Sequence, residues 1–237
     1  MDIPSSLAIV ALAALIHASF QLSVSVLTLL SGHAIGAKKS KARIFRLTTS
    51  FVIGAGAMTM LSLSFVALLF LHIFTDNVPL LIWAIVCGLV LGIGIAVWLF
   101  YFRSGKGTSL WISRSFARHL SDRSKATHRS VESFSLGLTS VVSELVFILP
   151  SMAVSALVLV QLEGMWQLAG IGIYTLISLL GLLIVWAMVG GGHSISKIQK
   201  WREANKRFLQ FSAGSALIIL GIYVYVTKIV TDLAGVM

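Results

Sequence analysis

Apolar residues in this chain do not alternate with polar ones or recur on one helical face; they fill whole runs. Six stretches, 7–34, 47–73, 79–102, 133–160, 165–189 and 208–230, are almost wholly apolar, with charged segments or short turns between them. A bilayer core about 30 Å thick is crossed by roughly 20 helical residues, and each run meets that length. Backbone amides in lipid must bond within their own helix or within a closed barrel, and uninterrupted apolar runs lack the period-two alternation of barrel strands. The pattern therefore predicts an all-α membrane protein with six transmembrane helices. The first run has no basic region before it and outlasts the 7 to 15 or so residues of a signal-peptide core, so it is read as a span.

Composition agrees: 57% hydrophobic and 11% charged residues over 237 positions leave too little polar surface to coat a soluble globule. The net charge of +10 takes its meaning from where the charges fall. Five Lys or Arg lie in 36–46, seven in 103–129 and five in 196–207, so Lys228 alone of the eighteen lies elsewhere. By the positive-inside rule those three connections are cytoplasmic and both termini lie outside, as in a bacterial-type plasma membrane. Topology thus accounts for the charge without nucleic acid, and the partner expected for Lys38, Lys39 and Lys41 is anionic lipid. Within 109–120, Ile112, Phe116 and Leu120 share a face opposite Arg114 and Arg118, as in a helix lying at the headgroups. Trp98, Tyr101 and Trp201 fall where interfacial anchors belong. One cysteine, Cys87, excludes an intrachain disulfide, a CxxC pair and a multi-cysteine metal cage, and reads as a small buried hydrophobe.

The halves repeat weakly but in order. Residues 54–63 lie over 170–179, pairing Gly54 with Gly170, Gly56 with Gly172, Thr59 with Thr175 and Ser62 with Ser178; 89–93 lie over 218–222, and 20–24 over 143–147. Three spans per half is odd, so the second half inserts upside down, giving two inverted three-helix repeats of the kind secondary transporters use. The expected organisation is 1–102, a basic connection 103–132, and 133–237.

Glu144 is the only acid inside a span. A charge at the helix centre costs about 2.5–3.5 kcal/mol on insertion scales, so this carboxyl must be paired or protonated, and its alignment opposite Gln21 puts it at the junction of the repeats. His17, Gln21, Ser25 and Thr28 form one polar stripe on span one, while Ser140 and Ser143 flank Glu144. Pro150 frees the carbonyl of Val146 and weakens span four beyond the acid. Together these residues predict a solute and proton-coupling site. The plainer reading, a protonated Glu144 bonded to Gln21 or a serine as glue between helices, stays open. The glycines of spans two and five read as packing contacts, and "GGGH" at 190–193 as a helix end. No catalytic constellation emerges, and His17 with Glu144 falls short of a divalent-metal site. Neither enzyme nor cofactor is expected.

Residues 19–61, "SFQLSVSVLTLLSGHAIGAKKSKARIFRLTTSFVIGAGAMTML", resemble the opening of the LysE and RhtB translocators in Gly32, Gly36, Lys38, Lys39, Gly54 and Gly56. Residues 137–150 look like the small-Ser-Pro helix of the CcdA and DsbD carriers, without the cysteine that defines their chemistry. Where those exporters carry a Pro-Gly-Pro-Asn break, this chain reads "SFQL". The resemblance implies proton-coupled export of a small solute such as an amino acid. The alternatives are a structural or accessory membrane subunit and a transporter of lipid substrates; oligomeric state stays open.

Overall fold

A computed structural model describes residues 2–19, 24–27, 30, 40–74, 78–101, 114–191 and 204–235, which form helices and no strand. In chain order they are α1 (Ile3–Ser19), α2 (Lys41–Ile73), α3 (Leu80–Ala96) running into a π turn (Val97–Tyr101), α4 (Arg114–Ala126) and α5 (Ser130–Leu159). There follow α6 (Gly164–Ser178), α7 (Leu180–Gly190), α8 (Lys206–Val224) running into a second π turn (Tyr225–Val230), and the short α9 (Thr231–Ala234).

Four of these, α2, α3, α5 and α8, are long and apolar enough to cross a membrane, and α6 with α7 makes a fifth if the bent pair is one span. This is consistent with an integral membrane protein. Residues such as Phe65, Leu68, Leu81, Leu168 and Leu176 are more than half exposed, an extent of apolar surface in keeping with burial in lipid. The 17-residue α1 is apolar as well; residues 24–27 continue as helix, and the rest of the expected first span lies outside the described residues.

One expected span is different in shape. The run 165–189 is not a single helix: α6 and α7 meet at Leu179 with a bend of 56°. Hydroxyls near the bend draw on the backbone carbonyls, Thr175 Oγ1 donating to the Ile171 carbonyl at 2.8 Å and Ser178 Oγ to that of Thr175 at 2.9 Å. Such back-bonding bends helices.

Helix ends are held by local chemistry. Ser5 bonds the Asp2 carboxylate ahead of α1 and holds that carboxyl below its ordinary range. Ser40 Oγ accepts the Arg43 amide at the start of α2, and Glu132 Oε2 accepts the amides of His128 (2.8 Å) and Arg129 (3.0 Å) at the start of α5. The basic connection contributes α4, which continues past the expected segment to Ala126; residues 109–113 lie outside the described residues. Its Leu120 is buried against the core, and Ser124 is buried one turn on. Ile112 lies outside the described residues, as do Thr28, His33, Lys38, Lys39, His193 and Trp201; for Phe116 only the helical backbone is described.

The helices pair in a regular way. Helix α5 is the innermost, 72% buried where α2, α3 and α8 reach at most 39%. Helices α2 and α5 lie parallel: Arg43 Nη2 donates to the His128 carbonyl (3.2 Å), Ser133 Oγ to that of Leu47 (2.7 Å), and Gly137 and Gly54 fit against the backbones of Phe51 and Phe134. Small residues let the two backbones touch. Helix α1 runs parallel to the bent pair, Leu7 beside Gly170 and Ala18 beside Gly181. Helices α3 and α8 run antiparallel: Lys228 lies over the Trp83 ring, the Cys87 thiol donates to the Gly221 carbonyl (3.1 Å), Gly94 faces Gly214, and Trp98 stacks on Phe211. Helix α1 also touches α5 and α8, and α3 touches α5.

Candidate functional site

The bend at Leu179 falls where α1, α2 and α5 converge, and a narrow, partly open cleft forms there. Counting the open space at its mouth it spans about 290 Å³, and among the described residues it is lined by His17, Ala18 and Val24, by Thr59, by Val141 and Glu144, and by Ser178, Leu179, Gly181 and Leu182. Inside it there is room for about one water molecule.

Each helix delivers its polar group for a local reason. Glu144 sits mid-way along α5 and is only 3% exposed, facing the cleft and not lipid. His17, in the last turn of α1, is buried; its Nδ1 lies 3.2 Å from the hydroxyl of Tyr174 on α6, a side chain shut off from solvent and in contact with Ser151 of α5. Ser151 stands two helical turns beyond Glu144, so both lie on the same face of α5. Thr59, on α2, is 1% exposed, and its Oγ1 is the one buried side-chain polar atom among the described residues with no hydrogen-bond partner. A hydroxyl left so costs about 1–3 kcal/mol. Gly181 gives the restarted helix α7 a surface flat enough for Val24 to pack on it.

Of the expected site residues, the structure brings Glu144 and His17 together on one cleft. It does not bring Ser140 or Ser143 there: Ser140 Oγ donates to the Gly137 carbonyl at 2.7 Å and Ser143 Oγ to that of Ser140, so both hydroxyls are engaged on their own helix. Ser25 is half-buried and outside the lining. Pro150 is buried in α5, which runs through it as one helix, and it does not line the cleft. Gln21 lies outside the described residues.

Thr59, Tyr174, Ser151 and Ser178 are the polar groups at or beside the cleft that polarity along the sequence did not single out as a site. Thr59 and Ser178 were visible only as markers of the repeat. Their relation to Glu144 follows from the packing of α2 and of the bend against α5, which no local pattern encodes. Among the described residues no three His, Cys, Asp or Glu side chains cluster as a transition-metal site would require.

Fold and cleft together define a class: an all-helical protein with several helices apolar and long enough to cross a membrane, in which Glu144 is the one acid among the described residues that line an internal cleft beside a broken helix. Comparison with protein-family models, with curated proteins and with solved structures found no match to this chain.

Proposed function

We propose that the protein is a secondary active transporter: six spans in two inverted repeats, both termini outside, exporting a small solute in exchange for protons. The solute class, with amino acids foremost, rests on the resemblance to the LysE and RhtB translocators. The observation that carries the reading is that Glu144, the only acid in any apolar run, lines a cleft at a helix break together with His17. Broken helices at membrane depth are tolerated where they border a cavity, and transporters build their sites on them.

The pairings of the helices support the inverted repeat. Exchanging α1 with α5, α2 with α6 and α7, and α3 with α8 maps most of the contacts onto one another: the parallel pair α2 and α5 becomes α1 and the bent pair, α1 with α8 becomes α5 with α3, and α3 with α8 returns to itself, whereas the contact of α5 with α6 has no counterpart between α1 and α2 among the described residues. The register that lays 89–93 over 218–222 also carries the π turn Val97–Tyr101 onto 226–230, within the π turn Tyr225–Val230. The glycines correspond less well, since Gly56 meets Leu179 whereas Gly172 meets nothing.

Within this reading Glu144 alternates between a protonated form in the closed cleft and an ionised form when the cleft opens to water. His17 is the second group the proton or solute meets, held by Tyr174. The test is solute flux in proteoliposomes under an imposed pH gradient. Flux that responds to the gradient in the native protein and loses that response in Glu144→Gln is expected; identical rate and pH dependence in the two proteins refute the coupling role.

A second reading, a membrane subunit that transports nothing, is favoured by the size of the cleft, which admits little more than a water molecule. Absence of flux for every solute tried, with the protein folded, supports it.

A further inference from the structure

We infer that the cleft holds one resident water molecule, hydrogen-bonded to Thr59 of α2 and bridging it to the Glu144 carboxyl of α5. The inference does not rest on transport; it stands on the Thr59 hydroxyl and on the size and polarity of the space beside it.

Thr59 is where the argument begins. Threonines elsewhere in these helices turn their hydroxyls back onto their own backbone: Thr48 and Thr49 to the Phe45 carbonyl, Thr139 to that of Ser135, and Thr175 to that of Ile171. Thr59 is equally helical and only 1% exposed, yet its Oγ1 has no partner. Burying a hydroxyl in that state costs about 1–3 kcal/mol, and internal waters are the usual partners of buried polar groups that the chain itself leaves unsatisfied.

The space beside Thr59 selects the ligand. Pockets for organic solutes usually enclose about 300–1,000 Å³; this cleft spans about 290 Å³ with its mouth counted, and its interior takes about one water. Cavities lined only by apolar side chains stay dry. Here the lining brings together Thr59 of α2, Glu144 of α5, Ser178 of α6 and His17 of α1.

The remaining hydrogen-bonding capacity of those groups suits water. A buried water needs two to four polar partners. Thr59 Oγ1 can donate or accept. Glu144 already has an interaction of its own, but a carboxyl carries two oxygens with about four lone-pair sites and accommodates a second partner. Ser178 Oγ spends its proton on the Thr175 carbonyl and keeps its lone pairs. The backbone at the bend is not needed: the Leu179 carbonyl accepts the Leu183 amide and the Thr175 carbonyl the Leu179 amide. Water is neutral, so it adds no charge to a low-dielectric site. It donates to an ionised Glu144 and accepts from a protonated one, so the bridge survives in either state. Thr59, the one described residue of α2 in the lining, thereby acts on Glu144 through the water, as a positioning residue.

The experiment pairs a density map of the purified native protein, at a resolution that shows ordered water, with the thermal midpoint of Thr59→Val, which keeps the side chain's shape and replaces the hydroxyl by a methyl group. A peak within hydrogen-bonding distance of both Thr59 Oγ1 and a Glu144 oxygen is expected, kept in Thr59→Ser and lost in Thr59→Val. The midpoint of Thr59→Val should fall by about 2–4 °C, the shift that follows loss of one such bond. A hydroxyl bonded to nothing gives the opposite sign, because valine then removes an uncompensated polar group. A raised or unchanged midpoint overturns the inference, and so does a map without the peak. The peak in a protein that moves no solute upholds this site while the transport reading fails; gradient-driven flux by a protein without the peak overturns this site and leaves transport standing.

Discussion

Nδ1 of His17 and the hydroxyl of Tyr174 lie 3.2 Å apart, joining the end of α1 to α6 just beside the cleft that holds Glu144. Both side chains are buried and their rings sit 5.7 Å apart, so the contact is polar and packed at once. Whichever group donates, the bond fixes the imidazole that faces the acid.

Tyr174→Phe keeps the ring and removes the bond, leaving a buried imidazole nitrogen short of a partner. A loss of about 1–3 kcal/mol is expected, read as a lowered thermal midpoint in detergent. Bonds between membrane helices average ~0.6 kcal/mol in double-mutant cycles; a cycle of Tyr174→Phe with His17→Leu should give coupling at or above that figure. Coupling near zero would show that the two groups merely adjoin.

The crossing of α2 and α5 predicts a sharp contrast among glycines. A methyl group on Gly54 would run into the Phe134 carbonyl, and one on Gly137 into the Phe51 carbonyl and, at 2.9 Å, the Ala55 amide. Backbone cannot step aside as a flexible side chain does, so Gly54→Ala and Gly137→Ala should each cost ~3 kcal/mol or more. Gly172 meets nothing within 4 Å, and Gly172→Ala should be neutral or stabilise by up to ~1 kcal/mol through helix propensity. Yield and monodispersity of the three variants after detergent extraction check this. Equal behaviour of all three would mean that α2 and α5 do not touch as described.

Much of this was readable in the sequence because the bilayer imposes one strong rule, length of apolar run, and α2, α3, α5 and α8 obey it. Glu144 and His17 stood out for the same reason, as polar groups where lipid forbids them. The break at Leu179 was not readable: "YTLISLLGLL" contains no proline, the hydroxyls of Thr175 and Ser178 that bond back to its carbonyls look like any others in sequence, and the packing of Leu179 on Gly56 and of Val24 on Gly181 is set by distant parts of the chain. Ser140 and Ser143 bond to their own helix, and polarity along the sequence cannot tell such a hydroxyl from one aimed at a cavity. Thr59 shows the converse, one threonine among several whose hydroxyl is left over.

Topology yields a prediction that needs no substrate. Cys87 is buried and its thiol bonds the Gly221 carbonyl, so Cys87→Ala provides a thiol-free background with little loss. Single cysteines at Asp122, exposed on α4, and at Glu163, exposed between α5 and α6, should then react from opposite sides of the membrane in intact cells: Glu163→Cys with an impermeant maleimide, Asp122→Cys only after permeabilisation. Labelling of both from outside would overturn the orientation taken from the basic connections.

Pro150 separates stability from motion. It lies inside α5, buried, in a helix that continues for nine residues to Leu159. A proline there removes one amide and crowds the carbonyl four residues back, that of Val146, at a cost of ~3 kcal/mol relative to alanine in a free helix. Packing against the other helices tolerates this without ending α5. Pro150→Ala should therefore raise the thermal midpoint, by an amount equivalent to at most ~3 kcal/mol. If α5 flexes at this point when the cleft opens, the restored hydrogen bond stiffens it, and solute flux in proteoliposomes should fall several-fold while the protein grows more stable. A stabilised variant with unchanged flux would move the hinge away from Pro150 and leave the bend at Leu179 as the element that opens the cleft.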